Sequence, residues 1–377
     1  MGNMYSLKKD LNSYKLLSLI LCSRNDSYMG NSRWRLETSI NLALLNAEEA
    51  NFLDQLEIIV SDWGSEIPLS EVLNLVPEAK DRVKFVHVPP DIAAVEQKDS
   101  KFPEVIALNA AAHRASGEYI GRIDNDTVIG TDFFRKFEQL HKNNPTDELD
   151  LANSFLFVER KSVPFRISRL SLPLPQIHSF INLFKNYFRV ESATEWGKEF
   201  WWSPVGIMMF HRDIWNATQG YDERLIYWGW MEGDLALRLE QKHKIVEFSK
   251  FVGHDFYHLE HYPSLTDYRN RNGPATPRKK NEPVFENLNY KENNDAWGLE
   301  KYRSVSIVQH NRVYKNLNFF VKVLLKILFL PRILVSLFFR KFDLFLINYP
   351  KYAHRFRSNS KIVGGRIKQK IMSFVVS

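Results

Sequence analysis

The chain has 377 residues, of which 44% are hydrophobic and 25% charged, an ordinary balance for a folded globular protein. A net charge of +7 favours anionic partners such as a nucleotide or a phospholipid surface. The single cysteine, Cys22, excludes an intramolecular disulfide and fits a reducing compartment. Because the amino-terminal stretch is polar and has no signal-like apolar segment, we expect a cytoplasmic protein.

Short apolar runs alternate with helical patterns from residue 16 to about 135. The predicted strands are brief and bounded by turn residues: 16–22, 56–62, 83–88 and 118–124. Between them, residues 32–50 and 103–116 repeat apolar positions at three- and four-residue spacing, as helices do. This alternation predicts an α/β fold with a mostly parallel sheet flanked by helices.

Polar clusters follow three of these predicted strands. They are "CSRND" (22–26), "SDWGS" (61–65) and "DNDT" (124–127). In parallel sheets ligands bind beyond the carboxyl ends of the strands, so we expect one site there. A turn would explain Asp124 and Asp126, since Asp favours turns. Two carboxylates one residue apart also suit a divalent cation that carries a phosphorylated substrate.

The second half of the chain is less regular at first. Prolines at 164, 173 and 175 are expected to break any long helix between 150 and 200. A compact aromatic block follows at 201–242 and ends in an amphipathic helix from about Glu232. Residues 270–300 are polar and rich in Asn, Lys and Pro, which predicts a loop or lid.

Three stretches carry a resemblance to a known family. "ALNAAAHRASGEYIGRIDND" (107–126), with its Asp-x-Asp, and "LEIIVSDWGS" (56–65) resemble family 2-type glycosyltransferases with a GT-A fold, which is Rossmann-like. "YWGWMEGDLALRL" (227–239) is similar to the carboxyl-terminal part of β-1,4-galactosyltransferases and bacterial chondroitin-type polymerases. The resemblance covers about residues 16–290. It implies an inverting enzyme of the hexosyltransferase type, which transfers the sugar of a nucleotide-diphosphate sugar, most readily a UDP-sugar. The reaction would serve surface polysaccharide synthesis.

The resemblance also implies a metal site. Asp126 would ligate Mn²⁺ or Mg²⁺, with Asp124 turned towards the ribose or the sugar of the donor. In the resembling families a histidine that follows the acceptor-binding segment completes the metal site. That segment corresponds to residues 227–239 here, called the acceptor block below, so the resemblance implicates His258 first and His261 second. One of the two histidines can instead be structural. Imidazole suits several divalent metals, and the absence of a cysteine pair disfavours a zinc site.

Polar residues at the strand ends are the donor-binding candidates. Asp62 stands where the family has the first of two Asp residues, and Trp63 replaces the second. Asp62 would bond the base or ribose, or else cap its strand. The other donor-binding candidates are Ser23, Arg24, Asn25 and Asn109. A surface charge explains Arg24 equally well, and a structural role explains Asn109.

The acceptor block supplies the candidate catalytic residues. By the resemblance Glu232 stands where galactosyltransferases carry their catalytic Asp, and Met231 replaces the Glu before it. Inversion needs a carboxylate that takes a proton from the acceptor hydroxyl. Asp234 would bind acceptor hydroxyls or be the base itself, although carboxylates in a first helical turn are also ordinary capping. Trp228 and Trp230 offer flat faces on which sugars of a glycan or lipid-linked acceptor would stack. Alternatively, these two side chains pack in the core.

The carboxyl-terminal end predicts contact with a membrane. The predicted regions are a GT-A domain (1–290; nucleotide-sugar half about 16–135, acceptor and metal half about 150–290), a linker (291–316) and an α-helical, amphipathic, basic tail (317–377). Lys and Arg residues interrupt the apolar run at 318–349, which predicts helices lying on an anionic membrane surface. We therefore expect a peripheral protein at the inner face of the membrane. A helical hairpin on the domain or a dimer interface is the alternative, and no motif points to nucleic acid.

Two other functions fit the same pattern. A nucleotidyltransferase can share this type of fold and use similar carboxylates. A catalytically degenerate protein that only binds nucleotide sugar would explain why the family's Asp-Asp and Glu-Asp pairs are incomplete here. A glycosyltransferase would release nucleoside diphosphate from the donor, whereas a nucleotidyltransferase would release pyrophosphate. A binding-only protein would show no turnover.

Overall fold

The structure is a computed structural model, and it describes residues 15–146, 148–190, 205–261, 280–284 and 293–310. The predicted membrane tail (317–377) lies outside the described residues, as does most of the predicted loop or lid at 270–300. Within the described ranges, none of the helices combines the length and the apolar character needed to cross a bilayer.

Strands and helices alternate in the first third of the chain, as predicted. The strands are β1 (Leu17–Ser23), β2 (Leu56–Trp63), β3 (Val83–Val88), β4 (Tyr119–Arg122), β5 (Thr127–Ile129), β6 (Ser154–Glu159), β7 (Lys161–Val163), β8 (Val205–His211), β9 (Lys244–Glu247), β10 (Phe256–Leu259) and β11 (Ser306–Gln309). The α-helices are α1 (Ser32–Glu49), α2 (Leu69–Val72), α3 (Pro90–Gln97), α4 (Glu104–His113), α5 (Thr131–Lys142), α6 (Phe165–Arg169), α7 (Leu174–Phe184), α8 (Arg212–Thr218), α9 (Met231–Leu239) and α10 (Ser249–Val252).

The central sheet has eight strands in the order β11-β3-β2-β1-β4-β8-β6-β9. Strands β3, β2, β1 and β4 run parallel to one another. Beyond β4, strand β8 pairs antiparallel with both β4 and β6. Helices cover both faces, α1, α5 and α7 on one and α4, α8 and α9 on the other. The predicted α/β class, with a mainly parallel sheet flanked by helices, is confirmed.

The stretch from 150 to 190 is more regular than the sequence predicts. It supplies β6 to the central sheet, followed by β7, α6 and α7. The prolines stand at the starts of two short helices: Pro164 and Pro173 directly precede α6 and α7, and Pro175 lies in the first turn of α7. Proline is well suited to a first turn, because the N–H that it lacks has no partner there anyway.

One strand lies in the segment that we expected to be a linker. Strand β11 pairs antiparallel with β3, with Ile307 opposite Val86. His310 follows it, and its Nδ1 lies 3.0 Å from the carbonyl oxygen of Ser70. The strand is short and mostly exposed, so its sequence lacks the alternation that identifies a half-buried strand.

A second, three-stranded sheet with the order β5-β10-β7 lies next to the Asp-x-Asp turn. Strand β10 pairs antiparallel with β5, which places His258 opposite Thr127. The backbone N–H of Leu259 donates to the carbonyl oxygen of Asp126 at 3.0 Å. This pairing joins a segment near residue 258 to the end of β4, and it builds the site described next.

Candidate active site

Asp126 is a buried carboxylate in the turn between β4 and β5. Its Oδ2 accepts a hydrogen bond of 2.6 Å from Nη1 of Arg35, a fully buried arginine of α1. Nη2 of Arg35 donates to the carbonyl oxygen of Tyr28 at 2.8 Å. The arginine thus compensates the buried negative charge and fixes the side chain of Asp126.

Two histidines complete a cluster around Asp126. Nε2 of His258 lies 3.8 Å from Oδ1 of Asp126, and Nε2 of His261 lies 3.1 Å from Oδ2. Ligand atoms of the three residues all lie within 4.8 Å of one another. One carboxylate and two imidazoles fit a divalent transition metal such as Mn²⁺ better than Mg²⁺, which prefers oxygen ligands.

The electrostatics of the cluster favour the protonation states that bind metal. Burial opposes ionisation of Asp126, but His258, His261 and Arg35 outweigh it and hold the pKa of this carboxyl well below its ordinary value. Burial, with the nearby Arg160, lowers the pKa of His258 well below its ordinary value. A metal ligand must be an ionised carboxylate or a neutral imidazole, so both groups are ready to bind.

A second cluster surrounds Arg122, a buried arginine at the end of β4. Its Nη2 lies 2.8 Å from Oε1 of Glu104, 2.8 Å from Oδ1 of Asp124 and 3.3 Å from Oε1 of Glu232. Arg160, in the turn between β6 and β7, donates from Nη1 to Oδ2 of Asp124 at 2.6 Å. Arg122 therefore holds the predicted donor-side carboxylate and the predicted catalytic carboxylate in one network.

The two acidic residues of the acceptor block have different surroundings. Glu232 lies in the first turn of α9 with its side chain 24% exposed. Asp234 pairs with Arg238 of the same helix. Nε of Arg238 donates to Oδ2 of Asp234, and Nη2 of Arg238 lies 3.0 Å from the same oxygen. Arg238 also donates to the carbonyl oxygen of Gly220 at 3.0 Å. Each carboxylate thus has an arginine partner, and Glu232 is the more exposed of the two, at 24% against 14% for Asp234.

The predicted acceptor tryptophans occupy a sharp turn before α9. Trp228 is 38% exposed, one of the more exposed large apolar side chains among the described residues. Trp230 has a φ of 72°, in the left-handed region that bulky residues rarely adopt. Such backbone strain persists only where the surrounding structure enforces it, and it clusters at ligand sites.

The end of β1 lies beside the Asp-x-Asp turn, as predicted. Nδ2 of Asn125 donates to Oγ of Ser23 at 3.3 Å. The backbone N–H of Asn25 donates to Oγ of Ser65 at 2.8 Å, joining the ends of β1 and β2. Nε of Arg24 donates to the carbonyl oxygen of Trp63 at 2.9 Å, so this guanidinium also braces the loop.

Asp62 and Asn109 use their polar atoms inside the fold. Asp62 accepts hydrogen bonds from the hydroxyl of Ser65 and from the backbone N–H of Leu69, the latter at 2.7 Å. These contacts correspond to the capping alternative. Asn109 exchanges two hydrogen bonds of 2.9 Å with the backbone of Tyr221, which ties α4 to the chain before the acceptor block. This corresponds to the structural alternative.

Four charged residues of the site were missed by the sequence analysis: Arg35, Glu104, Arg122 and Arg160. A signal existed for Arg122, since a charged residue within an apolar strand is rarely buried without a partner. Arg35 and Glu104 lie on helices, where a charged residue ordinarily indicates the solvent face. Their charged partners, Asp126 and Arg122, lie at the end of β4 or just after it.

Comparison with protein-family models and with curated protein sequences gives no match. Among solved structures, the chain is similar to S. aureus TarS 1-349 (13% identity, TM-score 0.37), over 64% of this chain and 60% of that one. It is also similar to the catalytic domain of Drosophila β1,4-galactosyltransferase 7 in complex with xylobiose (11% identity, TM-score 0.35), over 65% of this chain and 71% of that one.

Further structures of the same two proteins contain ligands. One is TarS 1-349 in complex with UDP (15% identity, TM-score 0.37; 64% of this chain and 60% of that chain). Another is a variant of the Drosophila enzyme with manganese, UDP-Gal and xylobiose (11% identity, TM-score 0.34; 65% and 71%). At these identities and TM-scores, the function of this chain has to be inferred from its own residues.

Proposed function

We propose that the chain is a metal-dependent, inverting glycosyltransferase that uses a nucleotide-diphosphate sugar, with a UDP-sugar as the first donor to test. The observation that carries the proposal is the juxtaposition of Asp126 with His258 and His261 at the carboxyl edge of the sheet. Asp126 lies in the same turn as Asp124. Asp124 is linked to Glu232 through Arg122. The turn thus connects the candidate cation ligands, through Asp126, to the candidate base Glu232, through Asp124 and Arg122.

The cation would be held by Asp126, His258 and His261, and when bound it would neutralise charge on the departing diphosphate. Glu232 takes the proton of the acceptor hydroxyl as that oxygen bonds to the anomeric carbon. The bond from that carbon to the diphosphate oxygen breaks at the same time, and its electron pair leaves with the nucleoside diphosphate. Arg122 keeps Glu232 oriented, and the exposed face of Trp228 offers a surface for the acceptor sugar.

The first prediction concerns the metal. Asp126→Asn removes the ionised ligand, so Mn²⁺ affinity should fall by at least about tenfold and donor turnover should be lost. Electron paramagnetic resonance of free Mn²⁺ measures binding without any donor. The matched control is Asp213→Asn, which changes an aspartate whose side chain is 81% exposed and should leave both properties unchanged. Full turnover in Asp126→Asn would overturn the metal assignment.

The donor product distinguishes the alternatives. A panel of nucleotide-diphosphate sugars is incubated with the full chain, Mn²⁺ and a pool of glycan and lipid-linked acceptors. Release of nucleoside diphosphate supports glycosyl transfer, whereas release of pyrophosphate identifies a nucleotidyltransferase. Calorimetric binding of a nucleotide sugar without turnover in any pool would indicate a degenerate, binding-only protein.

The setting that we propose is the inner face of a membrane, where a polysaccharide or lipid-linked glycan is built. Its support comes from the sequence alone, because the basic and apolar residues after 317 lie outside the described ranges. Anionic lipid attracts basic segments, and apolar side chains add burial in the interface.

A further inference from the structure

Asn281 is fully buried, and its side chain bonds the backbone of a turn that begins 54 residues earlier in the chain. Its Nδ2 donates to the carbonyl oxygens of Tyr227, at 2.7 Å, and Gly229, at 2.8 Å. Its Oδ1 accepts a hydrogen bond of 3.2 Å from the backbone N–H of Tyr227. The amide group thus uses both of its N–H bonds and its oxygen on one turn.

This turn carries the candidate acceptor tryptophans. Trp228 lies between the two residues that Asn281 bonds. Gly229 has a φ of 92° and Trp230 a φ of 72°, and a bulky residue keeps such a backbone conformation only where its surroundings enforce it. Helix α9 begins directly after Trp230, so the shape of the turn sets the position of Trp228 relative to Glu232.

A second contact with the turn lies at the surface. The phenol of Tyr227 donates to the carboxylate of Asp99, which pairs with Lys280. The side chains of Lys280 and Asp99 are 43% and 58% exposed, and exposed ion pairs contribute little to stability. Loss of a buried hydrogen-bond partner is more costly, because the groups left behind have given up their water. We therefore expect Asn281 to contribute more than this pair to holding the turn.

We propose, on the basis of the proposed function, that Asn281 is a positioning residue for the acceptor. Its amide fixes the turn that presents the exposed face of Trp228 to one side of Glu232. A sugar stacked on this indole then has its hydroxyl within reach of the carboxylate. Such an arrangement is sensitive to shifts of about 1 Å, which the loss of the Asn281 amide would allow. Asn281 acts through the turn and needs no contact with the sugar.

The first test follows the turn without any substrate. The nine tryptophans of the full chain are labelled as 5-fluorotryptophan, and fluorine NMR resolves their resonances. Trp228→Phe and Trp230→Phe assign the two that matter. Both resonances should shift and broaden in Asn281→Ala, because the turn loses its buried partner. Asn281→Asp should have the same effect, since a carboxylate keeps the size of the side chain but offers no N–H to the two carbonyl oxygens.

The matched control is Asn293→Ala. Nδ2 of Asn293 donates to the carbonyl oxygens of Gln219, at 2.8 Å, and Tyr221, at 2.7 Å, and its Oδ1 accepts from the backbone N–H of Glu223 at 3.1 Å. This variant loses the same kinds of hydrogen bond just before the turn. It should lose similar stability in urea and leave the two resonances unchanged. Resonances that stay unchanged in Asn281→Ala, or that move equally in both variants, would overturn the proposal.

The second test separates acceptor binding from donor binding. It uses the UDP-sugar and the acceptor that release the most nucleoside diphosphate in the pool experiment. In Asn281→Ala the acceptor KM should rise by about tenfold or more, because the stacking surface is displaced. The donor KM should keep its wild-type value, and Asn293→Ala should keep both values.

An unchanged acceptor KM in Asn281→Ala, or an equal rise in both KM values, would contradict a role in positioning the acceptor. If the wild type turns over no donor, the proposed function fails. The two tryptophan resonances still decide in that case whether Asn281 holds the turn.

Discussion

Arg35 shares the Asp126 carboxylate with the histidines. Its Nη1 lies 2.6 Å from Oδ2 of Asp126, the oxygen that is also 3.1 Å from Nε2 of His261. Arg35 is fully buried, so Asp126 has a counter-charge even when no cation is bound. A bound cation and the guanidinium would compete for the same oxygen.

This competition makes a prediction for Arg35→Met. Without metal, the variant should lose about 3–5 kcal/mol of unfolding free energy, because a buried carboxylate is left without its partner. Mn²⁺ should recover more stability in the variant than in the wild type, since the divalent cation replaces the missing charge. Urea unfolding in EDTA and in Mn²⁺ measures both effects. Arg35→Lys, which keeps a cation, is the control. Equal stabilisation by Mn²⁺ in all three proteins would show that Arg35 does not compete with the cation.

Residue chemistry identified the candidate metal ligands, but it did not identify the residues that hold them in place. Asp126, His258 and His261 were candidates because carboxylate and imidazole are recognisable ligands, and the structure brings them within 4.8 Å of one another. Arg35 and Glu104 carry no such signal, since a charged residue on a helix is ordinarily solvated. Their partners are set by tertiary packing, which a local pattern does not contain.

At the scale of elements, α1 positions the strand that follows Asp126. One row of its polar side chains faces β5 instead of solvent. Ser39 donates to the carbonyl oxygen of Thr127, and Nδ2 of Asn46 donates to that of Ile129 at 2.6 Å. With Arg35 on Asp126, three side chains of one helix hold three of four consecutive residues. The predicted bounds of α1 agree with the structure, but the sequence gave no indication that these polar side chains contact β5.

Asn46→Ala tests this support. The carbonyl oxygen of Ile129 loses its donor, so the unfolding free energy should fall by about 1–3 kcal/mol. Mn²⁺ affinity should fall as well, because β5 fixes Asp126. Asn41→Ala is a matched control on the same helix, since Asn41 bonds the backbone of Asn74 and Val76, at 2.9 Å each, away from Asp126. It should cost similar stability and leave Mn²⁺ affinity unchanged. The same loss of affinity in both variants would contradict a specific role for Asn46.

At the scale of the whole molecule, β11 sets where the chain can be shortened. A chain ending at residue 316 keeps β11 on β3, whereas one ending at 305 exposes the edge of β3. We expect the first to unfold at the same urea concentration as the full chain. The second should unfold at lower urea concentration and aggregate, because an unpaired edge strand invites association. Identical behaviour of the two truncated chains would show that β11 contributes nothing to stability.

The chain ending at 316 also tests the membrane proposal. The full chain should float with anionic liposomes at low salt, each basic residue near the surface contributing roughly 1 kcal/mol. High salt should weaken flotation without abolishing it, because screening removes only the Coulomb attraction. The shortened chain should not float, yet it should still bind Mn²⁺. Failure of the full chain to float at low salt would refute membrane binding.

The pairing of β5 with β10 also fixes an order of events during synthesis. Asp126 emerges from the ribosome long before His258 and His261, whereas Arg35 has emerged earlier and can already neutralise it. The nascent chain therefore has no complete ligand set until residue 261 is free. The cation that we propose would therefore bind only after residue 261 has been synthesised, and a chelator present during cell-free translation should leave a protein that Mn²⁺ activates afterwards.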